Sequence, residues 1–171
     1  MIIVTGGAGF IGSNLVKSLE ARGDRDIVVC DILGHYDKWK NIAKRELTDI
    51  IPPEALAEFL GDNSKDIETI FHMGAISATT ERDADLIVQS NIRLSLDLWN
   101  WCARFETPLI YASSAATYGN GDRGFGDDDS IDGLAKLRPM NAYGWSKHAF
   151  DRRVARIVSE NGPRPPHWAG L

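Results

Sequence analysis

Cysteine is scarce in this sequence: Cys30 and Cys102 are the only two in 171 residues, and both lie in apolar settings, VVCDI and WNWCAR. Lone thiols in such contexts are more often reduced, buried side chains than a bridge, so a cytoplasmic protein is expected. Long hydrophobic runs are missing as well. No segment approaches the ~18 apolar residues of a membrane span. No charged leader precedes the opening MIIVT, so neither a membrane anchor nor a signal peptide is expected. Basic charge is thin: 19 Lys and Arg face 24 Asp and Glu, the net charge is −5, and no basic block stands out. That pattern argues against nucleic acid, whose phosphates are held by clustered Lys and Arg. The acidic run Asp127, Asp128, Asp129 has neither the spacing nor the partners of a metal site, so no metal is expected.

What is present is a regular alternation. MIIVT is a short apolar run closed by glycines, as in a strand buried on both faces. Residues 10–21 turn helical, with Ile11, Leu15 and Leu19 on one face and Gly23 as the stop. DIVVCD (26–31) reads as a second strand. A loop with Gly34, His35, Tyr36 and Asp37 follows, then mixed sequence to Ile51. Pro52 and Pro53 open a helix to about Leu60, and IETIFH (67–72) is a third strand. Residues 81–105 predict one long helix with two apolar stripes, Ile87, Asn91, Leu94, Leu98, Cys102 and Ile92, Leu96, Trp99, Ala103. Two stripes imply that both faces are covered, and another subunit is a candidate cover for one of them. TPLIYASS (107–114) is the fourth strand, residues 119–133 a mobile Gly/Asp-rich loop near the site, and residues 142–159 the last helix. GPRPPHWAGL shows no pattern for a packed element. Four alternations predict an α/β fold, a doubly wound parallel sheet with helices on both faces and right-handed crossovers.

TGGAGFIG (5–12) sits between the first strand and the first helix, with Gly6, Gly9 and Gly12 in a G-x-x-G-x-x-G spacing. Glycines there permit a tight turn, close approach of a pyrophosphate, and close packing of helix on strand. The helix start, from Phe10 and Ile11 onward, presents N–H groups and a dipole to the anion. Asp31, followed by Ile32, ends the second strand, where an acid bonds ribose hydroxyls and favours NAD. Lys38, Lys40, Lys44 and Arg45 lie just downstream and would meet a 2′-phosphate instead, unless they merely form a solvated face. The sequence therefore leaves NAD against NADP open.

Three further pieces fall at the carboxyl ends of strands, where ligands bind in such sheets: FHMGAIS (71–77), ASSAATYG (112–119), and NAYGWSK (141–147) beyond the loop. Tyr143 and Lys147 are four apart, the spacing at which side chains meet on a helix. Alone, the pair reads as an ordinary surface contact. Together with the glycine turn and the serine-bearing strand, the set resembles the extended short-chain dehydrogenase/reductase family. The resemblance implies Tyr143 as acid/base, Lys147 as the residue that holds the nicotinamide ribose, and Ser114, rather than Ser113, as hydrogen-bond partner of the substrate hydroxyl. A free phenol is a poor base at neutral pH, and a nearby ammonium favours its ionised form. It implies too that Met73, Gly74, Ala75, Ile76 and Ser77 line the cofactor. Asn91 either satisfies backbone groups near the cofactor or only caps local structure. His72 reads as a core histidine.

Within that family, MIIVTGGAGFIGSNLV, FHMGAISATTE, YASSAATYG and RPMNAYGWSKHAFD resemble one branch, the ADP-L-glycero-D-manno-heptose 6-epimerases, with GAISATTE the most specific stretch and Lys38 in DKWKNI in the place of a cofactor-contacting lysine. The branch implies NADP, an ADP-heptose substrate, a homo-oligomer reported as a pentamer, and inversion at C6 through a transient ketone for the inner core of lipopolysaccharide. Family chains continue into another strand, a second acid/base lysine and most of the sugar-nucleotide pocket, so the expectation is a Rossmann-like part truncated before its C-terminal substrate region. Such a part alone is expected to be inactive, with an exposed sheet edge where the next strand would pair. The alternatives are another nucleotide-sugar epimerase or a dehydratase, or a non-catalytic dinucleotide-binding module. Ala115, Ala116 and Thr117 stand where a dehydratase usually has acids, which counts against that reading.

Overall fold

The computed structural model describes residues 1–35 and 37–171; Tyr36, placed in the loop after the second strand by the sequence, lies outside them. The described residues form one all-parallel sheet. Its strands are β1 (Ile2–Thr5), β2 (Ile27–Cys30), β3 (Asp49–Ile51), β4 (Thr69–His72), β5 (Leu109–Tyr111) and β6 (Trp168–Gly170), in the order β3-β2-β1-β4-β5-β6. The order reverses between β1 and β4, the switch point at which doubly wound sheets bind ligands. Register pairs Thr5 with Cys30 on one side and with His72 on the other.

Alternation along β1 and β2 feeds two cores, as expected of a sheet covered on both faces. Ile2, Val4, Ile27 and Val29 pack under α1 (Phe10–Arg22), against Val16 and Leu19. Ile3, Val28 and Ile70 face the other way. There they meet Leu56 and Leu60 of α2 (Leu56–Asp62), Leu98, Trp99 and Cys102 of the long helix, and Phe150 and Val154 of the last helix. Both cysteines are buried and unbridged.

Helix ends follow local chemistry. Gly23 closes α1 at φ 108, a left-handed value that glycine adopts without strain. The helix predicted over 142–159 runs as expected, Ala142–Ser159, with the Asn141 side chain accepting the Gly144 N–H as its N-cap. Following the chain, it is α6.

Several expectations are corrected. Ile11 is 63% exposed, because α1 turns its Gly12, Val16, Leu19 face to the sheet. The single helix over 81–105 is α3 (Ala84–Ile87) and α4 (Leu94–Arg104) joined by a π turn, Val88–Arg93. The loop over 119–133 ends early, in α5 (Ile131–Lys136), which is capped by Ser130. Two strands went unread. β3 lies in the mixed sequence before Ile51, and β6 in the Pro-rich tail. β6 pairs with β5 throughout (Leu109 with Trp168, Tyr111 with Gly170), so the sheet edge on this side is β6.

Trp99 secures that last strand. It is fully buried, stacks edge-on against Phe150 and Trp168, and donates its indole N–H to the Pro163 carbonyl at 3.0 Å. Truncation of a buried aromatic costs about 3–5 kcal/mol. Trp99→Ala is expected to lower stability by that amount in urea unfolding, with the amides of residues 168–171 losing protection from hydrogen exchange first.

Candidate functional site

The turn after β1 and the turn after β4 touch at the switch point. Gly6 adopts φ +66, and a Cβ there would lie 2.7 Å from the Cα of Gly74. A side chain on Gly12 would collide with the Gly6 carbonyl. Backbone alone fills this seam, and α1 starts directly above it with no side-chain cap on Gly9. Its first N–H groups are free for an anion. Phe10 and Ile11 are 84% and 63% exposed beside them, a hydrophobic rim with nothing of the sheet covering it. These features fit a dinucleotide: the cradle could hold its pyrophosphate.

Asp31, at the end of β2, is tied into this turn. It accepts the Ala8 N–H at 2.8 Å and the Ile32 N–H at 2.7 Å, and pairs with the Lys38 ammonium at 2.5 Å. Asn41, which the sequence reading did not single out, donates to the Ala8 carbonyl at 2.8 Å. Of the other basic residues downstream, Lys40 pairs with Asp37 and Arg45 with Glu20. Lys38 is the one aimed at Asp31. Ile32 is 61% exposed next to the pair.

A run of buried polar groups starts at Thr5. Its Oγ1 accepts the Gly74 N–H at 3.1 Å and lies 2.7 Å from His72 Nδ1; His72 Nε2 lies 2.9 Å from Ser95 Oγ, which donates to the Asn91 carbonyl at 2.6 Å. Each hydroxyl has one proton to give. Thr5 therefore donates to Nδ1, and His72 is neutral with its proton on Nε2. Burial, reinforced by Lys147, pushes His72 down to about 3. Asn91, wholly buried in the π turn, accepts the Ile76 N–H and donates to the Ile76 carbonyl and to Ser146 Oγ, which in turn donates to the Tyr143 carbonyl. The π turn, a form often found at functional sites, thus ties residues 73–77 to the first turn of α6. Met73, Gly74, Ala75 and Ile76 are half-buried along that wall and Ser77 is exposed.

Ser114 starts a short 3-10 turn, Ala115–Tyr118, and accepts the Ala116 N–H at 3.1 Å, which leaves its own proton free to donate. Gly144 permits close approach of α6 to that turn; a Cβ there would lie 2.7 Å from the Ala116 carbonyl. Tyr143 stays half-exposed beside it. Lys147 is only 2% exposed, and burial lowers it to about 8, opposed by Asp151 one turn further on. Ser113 donates instead to Asp151, at 2.5 Å. The sheet and α6 therefore gather Gly6, Gly74, Ser114, Tyr143 and Lys147 about one end of β1, β4 and β5.

A model of the NAD dependent epimerase/dehydratase family matches residues 2–170. The chain belongs to that family. Among its relatives, the ADP-L-glycero-D-manno-heptose-6-epimerase of Fusobacterium nucleatum is 48% identical over 173 residues, which are 100% of this chain and 51% of the relative. The crystal structure of the Helicobacter pylori enzyme of the same name superposes with a TM-score of 0.78 at 28% identity, over 99% of this chain and 53% of that one. MoeE5, solved with UDP-glucuronic acid and NAD, gives 0.73 at 27%, over 99% and 52%. The chain spans about half the length of the curated relatives it matches. Missed in the sequence were Asn41, Ser95, Ser146 and Asp151. Asp151 alone carried a signal, its four-residue spacing from Lys147.

His72 makes this site sensitive to acid. Its folded value lies below the ordinary 6.5, so between about 6.5 and about 3 the unfolded chain binds a proton that the folded one refuses. Stability is complete above that window and falls through it as the pH drops, by at most about 1.4 kcal/mol per pH unit for one group. Urea midpoints measured from pH 7 to 4 should fall accordingly, and more shallowly in His72→Gln.

Proposed function

We propose that the chain is the NAD(P)-binding Rossmann part, residues 1–171, of an ADP-L-glycero-D-manno-heptose 6-epimerase that uses NADP. The observation that carries this reading is the placement of Tyr143 and Lys147: through Ser146 and Asn91 their helix is pinned to the wall at Ile76, beside the Gly6–Gly74 seam. The 48% identity to an enzyme of that name supports the substrate assignment.

On this reading the start of α1, with Gly6, Gly9 and Gly12, would hold the pyrophosphate. Residues 73–77 would line the nicotinamide end, and Lys147 would hold that ribose. The bound dinucleotide supplies the acceptor, and in reduced form the donor, of a hydride at C6. Tyr143 takes the proton of the C6 hydroxyl while Ser114 donates a hydrogen bond to the same oxygen, leaving a transient ketone. Return of the hydride to the opposite face of C6, with a proton to its oxygen, gives ADP-L-glycero-D-manno-heptose, a precursor of the lipopolysaccharide inner core. The enzyme is read as a cytoplasmic homo-oligomer of the pentameric kind. The substrate region and a second acid/base lie outside these residues, so the chain alone is expected to bind cofactor without inverting the sugar.

Preference for NADP is supported by the Asp31–Lys38 pair. Asp31 already accepts two backbone N–H groups and an ammonium. On this reading its charge is compensated, and Lys38 would meet a ribose 2′-phosphate beside it. Native mass spectrometry of the purified chain is expected to show an increment matching NADP. Lys38→Ala should weaken NADP about tenfold and leave NAD nearly unchanged. Retention of NAD alone would overturn the cofactor assignment. In a chain completed with the C-terminal half of the Fusobacterium relative, conversion of ADP-D-glycero-D-manno-heptose is expected, and Tyr143→Phe should slow it about 10²–10⁴-fold.

A further inference from the structure

The catalytic reading leaves one half-buried charge unused. Asp151 sits one helical turn beyond Lys147, on the same face of α6. Its two oxygens are held by hydroxyls of β5 and the residues that follow it: Tyr111 donates to Oδ1 at 3.0 Å and Ser113 to Oδ2 at 2.5 Å. The carboxylate forms part of the floor of an open cleft of about 1130 Å³, lined also by Ser114, the 126–132 segment and the end of β6. Lys147, nearly inaccessible to water, forms no hydrogen bond or salt bridge among the described residues.

We propose that Asp151 is a positioning residue with two tasks: it is the half-buried counter-charge, one helical turn away, that favours Lys147 as an ammonium, and it clamps the end of β5 so that Ser114, not Ser113, presents its hydroxyl to the site. The importance of Lys147 rests on the reading given under Proposed function; the charge relation between the two residues does not.

The surroundings leave the first task to Asp151. From β4, His72 faces Lys147 as a neutral ring and offers no negative charge. From α6 itself come Tyr143 and Asp151. From β5 comes Tyr111, which burial and the nearby Asp151 and Asp129 hold in its protonated form. Burial lowers Lys147 to about 8, and Asp151 is the group that works against that fall. Burial raises Asp151, while Ser113, Tyr111 and Lys147 oppose the rise. The two hydroxyls thus favour the carboxylate against its burial, and the carboxylate in turn favours the charged lysine. The second task follows from proton counting: with the Ser113 proton committed to Oδ2, the donor available at the end of β5 is Ser114.

The test is a lysine Nζ NMR titration of the 171-residue chain, with Lys147 assigned through K147R. Lys147 is expected to titrate near about 8 in the wild type, about 1–3 pH units lower in Asp151→Asn, and close to wild type in Asp151→Glu. An unchanged titration in Asp151→Asn overturns the proposal. Should that variant fail to fold, the wild type still decides: the Asp151 carboxyl ¹³C shift must report a carboxylate at pH 7, and a protonated Asp151 there overturns it. Native mass spectrometry on the same sample separates the two readings. A chain that shows the Lys147 shift but retains neither NADP nor NAD keeps the role of Asp151 and sinks the dinucleotide assignment.

Discussion

The site depends on one contact that contains no side chain, the approach of Gly6 to Gly74. β1 and β4 are adjacent and parallel, so their following turns must leave the sheet at the same end, side by side. Any Cβ between them would push the turns apart. The seam then carries α1 at its start and residues 73–77 along its edge, and every later element is placed relative to one of these. A ligand cradle at this point follows from strand order and two missing side chains.

Hydrogen bonding turns that seam into a fixed frame. From the Gly74 N–H through Thr5, His72 and Ser95 to the Asn91 carbonyl, and from Asn91 through Ser146 to Tyr143, each donor has an acceptor. A buried polar group left unpaired costs about 1–3 kcal/mol, so a member of this run cannot turn away alone without leaving a neighbour exposed to that cost. The run crosses β1, β4, α4, the π turn and α6. Five elements thus share one register, and the distance from glycine turn to Tyr143 is set by chemistry rather than by loop length.

How much of this was legible depended on whether a signal is local. β1, β2 and β4 announce themselves because central parallel strands are apolar on both faces. β3 does not: it is three residues long, carries Asp49, and leaves Ile50 44% exposed at the sheet edge. β6 is equally short and follows two prolines, so its pairing with β5 and its hold on Trp99 are tertiary facts without a local pattern. The π turn is invisible for the same reason, since Asn91 reads as a flaw in an apolar stripe until its partners at Ile76 and Ser146 are known. Ile11 misled in the opposite sense: a hydrophobic residue at helical spacing points to a core unless the helix start is itself a binding surface. The glycine turn could be named from its place between strand and helix, whereas Ser114, Tyr143 and Lys147 could be named only through the family resemblance, because spacing alone fits a surface pair equally well.

Spacing alone, however, would not make Tyr143 and Lys147 an acid/base pair. An ammonium influences a neighbouring phenol weakly in water and strongly where water is excluded. The same exclusion drives the ammonium to lose its proton. Lys147 sits at that conflict: it is buried and, at about 8, close to the pH at which it would cease to be charged. A carboxylate one turn away resolves the conflict only if it does not neutralise the lysine by direct contact, and the geometry meets that condition: both Asp151 oxygens are occupied by Tyr111 and Ser113, and the ammonium is left unpaired among the described residues. On the reading proposed for Tyr143 and Lys147, a Tyr-x-x-x-Lys-x-x-x-Asp spacing on one helix face therefore carries more chemical meaning than Tyr-x-x-x-Lys, because its third member favours the charged form of the second.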